Sequence, residues 1–328
     1  RFMAEAGNRY GVVLNTYKEL DSWSVAKPEQ FWSLVWDFAG VVAKHKGEQV
    51  ILDADCMPGA RWFPEARLNF AENLLRRRDE KTALVFWGED AVRRRISYAE
   101  LYADVARLAA ALREEGVGPG DRVAGLLPNM PEAIIGMLAT ASIGAVWSAC
   151  SPDFGVQGVL DRFGQIEPTV LISADGYYHA GVEHNLLPRL CEIERQLPTL
   201  KKTIIVPYTR ATPDISAFAN GVLLNDYLAP HTGEDLAFAQ FPFDHPLYIV
   251  FSSGTTGAPK CIVHGAGGTL LQHLKEHLLH VDLREDDRIF YNTTCGWMMW
   301  NWLVSALALG TTLLLYDGSP LHRRGRIL

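Results

Sequence analysis

Cysteine is scarce and unpaired: Cys56, Cys150, Cys191, Cys261 and Cys295 are five in 328 residues, and no two stand at a Cys-x-x-Cys spacing. That excludes a zinc ribbon, provides no disulfide framework and fits a reducing compartment, so a cytoplasmic setting is expected. Long apolar runs are missing too. The most membrane-like stretch, Trp302 to Tyr316, is too short to span a bilayer and breaks at Gly310-Thr311-Thr312; it reads as helix, turn and strand. The opening residues hold no apolar signal-peptide core, and a start at Arg1 rather than Met suggests a trimmed or partial chain. Positive charge is in deficit: 31 Lys and Arg against 38 Asp and Glu give a formal charge of -7, which argues against a nucleic-acid partner. There is neither an internal repeat nor a low-complexity tract.

What is present can bury a sizeable core, with 48% hydrophobic and 21% charged residues. Phe31, Leu34, Val35, Phe38, Val41 and Val42 recur at helical spacing and predict a helix over 28–46, opened by Pro28 and stopped by Gly47. Trp23, Trp32, Trp36, Trp62 and Phe63 make this opening segment aromatic, and packing is their expected use. Strands are expected over 82–87 and 92–96 around a Gly88-Glu89-Asp90 turn. Ser97 and Glu100 then form a capping box for a helix reaching about Glu115. Strands at 123–127, 145–147, 170–173 and 203–206 alternate with helices opened by Pro131, by the 151–155 segment and at 186–197. Such alternation implies an α/β fold of mostly parallel sheets flanked by helices. Residues 207–246 show no period and read as surface connection. The clusters Arg76-Arg77-Arg78 and Arg93-Arg94-Arg95, with the neighbouring acids Asp79, Glu80 and Glu89, read as solvated surface.

The chemistry concentrates after the apolar run 247–251, which reads as a strand buried on both faces. Ser252, Ser253, Gly254, Thr255, Thr256, Gly257 and Lys260 combine glycines, hydroxyls and one lysine. Glycines let backbone N–H groups approach a ligand, hydroxyls add donors and lysine adds a compact positive charge, so a polyphosphate is the expected occupant. A polar hairpin loop would need only the glycines. It is not a Walker loop, because Ala258-Pro259 separate Gly257 from Lys260 and Cys261 follows. Beyond it, a helix is expected over 269–281. Its His273, His277 and His280 could face one metal, but no acidic helper accompanies them and no metal site is assigned. His264, closer to the loop, is the more plausible functional histidine, a structural hydrogen-bonding role being its alternative.

The loop closely resembles the signature loop of the adenylate-forming, AMP-binding synthetases. Arg61-Trp62-Phe63 and residues 68–74 resemble the segment that precedes the nucleotide-binding domain in short-chain acyl-CoA synthetases. The wording of 148–159 and 295–301 is similar to the branch that activates acetoacetate. The resemblance divides the chain into an N-terminal segment, 1–75, and an AMP-binding domain, 76–328, incomplete at its C-terminus. It implies an ATP-dependent acid–thiol ligase using ATP, Mg2+ and CoA with acetoacetate, or with acetate or propionate as the alternative acid. A non-catalytic nucleotide-binding fragment is the reading of a different class. By resemblance, Lys260 and Thr255 are catalytic, the loop residues above hold the phosphates, and Trp297, Met298 and Met299 wall the acid pocket. No arginine stands in 176–182, where relatives use basic residues on the CoA phosphate. The family's Tyr-Gly-x-Thr-Glu motif, its ribose-binding aspartate and its lid lysine do not occur before Leu328. The chain alone is therefore expected to be inactive and to expose a sheet edge.

Overall fold

Alternation of β-rich runs with amphipathic helices becomes two sheets sharing one large core in the computed structural model, which describes residues 1–89, 92–233, 236–252 and 257–322. The chain opens with α1 (Phe2–Tyr10), α2 (Tyr17–Ala26, opened by a Thr16/Glu19 capping box) and α3 (Pro28–Phe38). Helix α3 stops short of the expected Lys46. Gly40 takes a φ of 61°, and Asn73 in α4 (Phe70–Leu74) binds both backbone groups of Val42, accepting its N–H at 2.8 Å and donating to its carbonyl at 2.9 Å. A tertiary hydrogen-bond pair thus overrides the helical period. The aromatic residues pack as expected, with Trp36 4.8 Å from Phe63 and Phe63 5.1 Å from Phe243.

The smaller sheet begins with β1 (Thr82–Gly88) and β2 (Arg93–Ser97), after which the Ser97/Glu100 capping box opens α5 (Tyr98–Glu114). Then come β3 (Arg122–Leu126), α6 (Pro131–Ser142), β4 (Val146–Cys150), α7 (Val156–Ile166) and β5 (Val170–Ala174). A hairpin of β6 (Gly176–His179) and β7 (Val182–Asn185) leads to α8 (Leu187–Gln196) and β8 (Lys202–Val206). The expected surface connection holds more structure than its lack of period suggests. It contains β9 (Gly221–Leu223) and α9 (Leu224–Leu228), elements too short to show a period, and it buries Leu228, Leu236 and Phe243. Finally come β10 (Pro246–Ser252), β11 (Lys260–Gly265), α10 (Ala266–Lys275), β12 (Arg288–Phe290), α11 (Met298–Ser305) and β13 (Thr312–Asp317). The 302–316 stretch is helix, turn and strand as read, with Gly310 at φ 76° in the turn. No described helix is long and apolar enough to cross a membrane.

The larger sheet has seven strands in the order β9-β8-β5-β3-β4-β10-β11, all parallel except the antiparallel last pair. Because side chains alternate along a strand, its two faces feed two cores. Val123, Ile172, Ile204 and Tyr248 pack with α5, α6 and α10, whereas Ala124, Leu171, Ile205 and Ile249 pack with α7 and α8. The smaller sheet runs β12-β13-β1-β2, its first three strands parallel, and joins the first of those cores.

Trp147 sits at the centre of the larger sheet, 1% exposed. Its ring fills the space left by Gly125 on β3, where a Cβ would come 2.6 Å from the indole. Replacing Gly125 by Ala must therefore displace a ring that is packed on all sides. Gly125→Ala is expected to lower stability by about 1–3 kcal/mol in chemical denaturation, the usual range for overpacking. An unchanged midpoint would show that Trp147 has room to move.

Candidate active site

All parallel strands of the larger sheet end at the same edge, so β3, β4 and β10 deliver their C-terminal residues together. At this edge, where the smaller sheet faces it, lies a cavity of about 650 Å3. One wall is Leu127-Pro128-Asn129 after β3 and Ser151-Pro152-Asp153 after β4. The others are Tyr177, Tyr178 and His179 of the β6–β7 hairpin, the 291–295 segment with Trp297 and Met299, and Tyr316-Asp317-Gly318 at the end of β13. Crevices beyond the carboxyl ends of parallel strands are where α/β proteins commonly bind ligands.

The base of the hydroxyl-rich loop rises from the same edge. Ser252 closes β10 and pairs with Lys260, which opens β11 with its side chain exposed, and Gly257 adopts a φ of 96°. Ser253, Gly254, Thr255 and Thr256 lie outside the described residues. The loop base is tied to α7, since Gln165 donates to the Pro259 carbonyl at 2.9 Å.

Trp297 occupies the N-cap position of α11, is 59% exposed and lines the cavity with Met299, while Met298 is 39% exposed and is not among the lining residues. The helix is fixed from below by the Trp300 indole N–H, which donates to the Asn129 side-chain oxygen at 2.9 Å in a buried contact. Cys295 is buried at the cavity with its thiol donating to the Pro128 carbonyl, and burial pushes its pKa up.

The histidine-bearing helix differs from its expected span. Helix α10 ends at Lys275 and continues as a π-helical turn, Glu276–His280. His277 is buried with Nε2 2.9 Å from the Trp302 carbonyl and 3.0 Å from Ser305 Oγ, and burial lowers its pKa to about 4. Burial takes His273 to about 3. Both imidazoles are therefore neutral near pH 7; His277 serves as a packed hydrogen-bonding group, and His273 is buried in the core. Among the described residues no group of three His, Cys, Asp or Glu side chains is arranged to hold a metal. His264 is half-buried, lies 4.9 Å from the Tyr248 ring, and burial lowers its pKa.

Three carboxylates beside the cavity escaped the sequence reading. Asp175, fully buried, accepts the N–H groups of Tyr208, Thr209 and Arg210 at 2.8–2.9 Å. Asp317 accepts the Tyr178 N–H at 3.0 Å. Glu89 is only 6% exposed, not the solvated acid its arginine-rich surroundings suggest, because it directly follows β1 at the junction with β13 and its N–H bonds the Asp317 carbonyl at 2.7 Å. The available signal was positional: each acid lies within two residues of the end of a predicted strand. The arginines themselves do lie at the surface, though Arg94 reaches inward to Glu132 at 2.6 Å.

With this geometry in hand, comparisons with known proteins are informative. A family profile described as "AMP-binding enzyme" matches residues 70–328, and one described as "Acetyl-coenzyme A synthetase N-terminus" matches 17–74. The chain is 52% identical to the acetoacetyl-coenzyme A synthetase of Rhizobium meliloti, covering 100% of this chain and 50% of that protein. It is 47% identical to the acetoacetyl-CoA synthetase of Mus musculus, covering 98% and 49%. The solved structure of acetoacetyl-CoA synthetase from Streptomyces lividans superposes with a TM-score of 0.92 at 45% identity, over 98% of this chain and 49% of that one. The chain thus spans about half the length of the curated relatives it matches.

Burial raises the Asp317 carboxyl from an ordinary 3.8 to about 6, with the Glu89 charge adding to the rise and the Tyr178 N–H and Tyr208 hydroxyl opposing it. Between those two values the folded state holds the proton and the unfolded chain does not. The group therefore adds stability as pH falls through about 6, and the gain is complete below 3.8. Measured against Asp317→Asn, the parent is expected to gain on the order of 2–3 kcal/mol between pH 7 and pH 4. A stability difference independent of pH would contradict the buried, proton-binding carboxyl.

Proposed function

The chain belongs to the AMP-binding enzyme family, and from that premise we propose that it forms the nucleotide- and acid-binding part of an acid–thiol ligase that activates acetoacetate. In the first half-reaction an acetoacetate carboxylate oxygen attacks the α-phosphorus of ATP. The new P–O bond gives an acyl-adenylate, and pyrophosphate leaves. In the second, the sulfur of CoA attacks the acyl carbon, the thiol proton is lost and AMP departs. Neither half requires a protein nucleophile; both require positioning and neutralisation of charge.

In this reading Lys260 and the hydroxyls of Ser252, Ser253, Thr255 and Thr256 bind the phosphates, Gly254 and Gly257 keep the backbone close to them, and Lys260 and Thr255 act on the reacting phosphate. Mg2+ bound to ATP would supply charge neutralisation at the phosphate oxygens, as suits an ion that keeps water and phosphate ligands. Of Trp297, Met298 and Met299, Trp297 and Met299 form the acid wall and Met298 flanks it from outside the lining; the unbranched thioether of Met299 adapts to a small β-keto acid. Residues 1–75 act as an N-terminal segment packed on an AMP-binding domain, 76–328.

The observation that carries this reading is the parallel pairing of β10 with β4, which brings the loop base to the edge where the cavity opens. The cavity, about 650 Å3, is of the size that holds a small acid joined to a nucleotide.

The test is acetoacetate-dependent ATP–pyrophosphate exchange by the full-length protein. Lys260→Ala removes a charge-assisted phosphate contact and is expected to slow exchange about 10- to 100-fold. Unchanged exchange in that variant would overturn the loop assignment, and no exchange with any short acid in the parent would overturn the ligase reading.

A further inference from the structure

We infer that Glu89 is a positioning residue for the cavity: its carboxylate fastens two of the cavity walls to each other and so sets their separation. The inference rests on the functional reading above only for what the cavity holds. The clamp itself stands on geometry.

Glu89 directly follows β1 and is buried, and among the described residues no cation pairs with it. Its charge is met instead by backbone N–H groups from two segments far apart in sequence. Ala180 N–H donates to Oε1 at 3.1 Å and Gly181 N–H to Oε2 at 2.8 Å, both from the β6–β7 turn; Ser319 N–H donates to Oε1 at 2.8 Å from the loop that leaves β13. The β6–β7 hairpin supplies Tyr177, Tyr178 and His179 to one wall, and the loop after β13 supplies Gly318 and Pro320 to another.

The backbone is shaped around this side chain. Ala180 and Gly181 hold φ values of 52° and 80°, consecutive left-handed residues whose N–H groups converge on the two carboxylate oxygens. An alanine resists that conformation, so the bond it makes there has a conformational cost to offset. Gly318 holds a φ of 142°, and a Cβ on it would lie 2.5 Å from the Glu89 Cβ. Only glycine lets the loop come close enough for Ser319 to donate. Asp317 reinforces the same joint from the adjacent strand through the Tyr178 N–H.

A carboxylate suits this task because both of its oxygens only accept, so it meets all the donors without a clash. A glutamine would not. Its oxygen could replace Oε1 toward Ala180 and Ser319, leaving its NH2 group pointing at the Gly181 N–H. The side chain makes no approach to the cavity interior, so its effect on a ligand must pass through the walls.

The experiment combines amide hydrogen exchange on the purified protein with steady-state kinetics of the full-length protein, using Glu89→Gln and Glu89→Ala. Glutamine should speed exchange at Gly181 by about tenfold while Ser319 keeps its protection, whereas alanine should release Ala180, Gly181 and Ser319 together. Apparent KM for CoA or acetoacetate should rise in the order parent, Gln, Ala, with kcat for thioester formation held within about twofold. Unchanged exchange at these amides in a folded variant would overturn the clamp, as would a loosening spread over the whole chain or a loss confined to kcat. Should the alanine variant not fold, the glutamine pattern decides. A parent protein that forms no thioester would count against the ligase reading, while the exchange pattern would still decide the clamp.

Discussion

Two residue pairs hold the arrangement together: Tyr248 opposite Trp147 and Ile249 opposite Ser148, where β10 lies parallel to β4. Parallel strands must end at the same edge, so this pairing determines on which side of the sheet the hydroxyl-rich loop emerges. The joint is reinforced by a buried hydrogen bond from the Ser148 hydroxyl to the Ile249 carbonyl at 2.9 Å. Had β10 paired antiparallel to β4, the loop would open at the far edge, remote from the cavity. Beneath the joint, the Trp147 ring is held by close packing on Gly125 and Gly136, which leaves the strand little freedom to shift register.

Charge follows a consistent pattern around the cavity. The protein carries a net formal charge of -7, and among the described residues the cavity lining holds Asp153 and Asp317 and no lysine or arginine. Asp175 and Glu89 are neutralised locally by backbone N–H groups, so their charges are absorbed by the fold. Asp317 is buried with fewer such donors, and burial first, then the adjacent Glu89 charge, drives its pKa up. Lys260 stands exposed at the loop base, the cation that the proposed polyphosphate would meet.

Much of this was legible in the sequence, for local reasons. The Ser97/Glu100 capping box, the Pro131 helix start and the helix–turn–strand at 302–316 each depend on neighbours within a few residues. The loop stands out in the sequence because its residue types suit one chemistry. Where the reading departed from the structure, a distant partner had intervened. Helix α3 yields to Asn73, and the helix after Gly265 changes to a π-helical turn where His277 meets the Trp302 carbonyl and Ser305. The burial of Glu89 depends on donors 91 and 230 residues away, which no local pattern announces.

The central claim is that one cavity, between the sheets and beside the loop base, receives the activated acid. It is tested most directly by mapping amide-exchange protection of the full-length protein with a non-hydrolysable acetoacetyl-adenylate analogue. The account predicts protection concentrated in the loop and in the cavity segments 127–129, 151–153, 177–181, 291–299 and 316–320. Protection centred elsewhere, with these segments unchanged at saturating analogue, would contradict it.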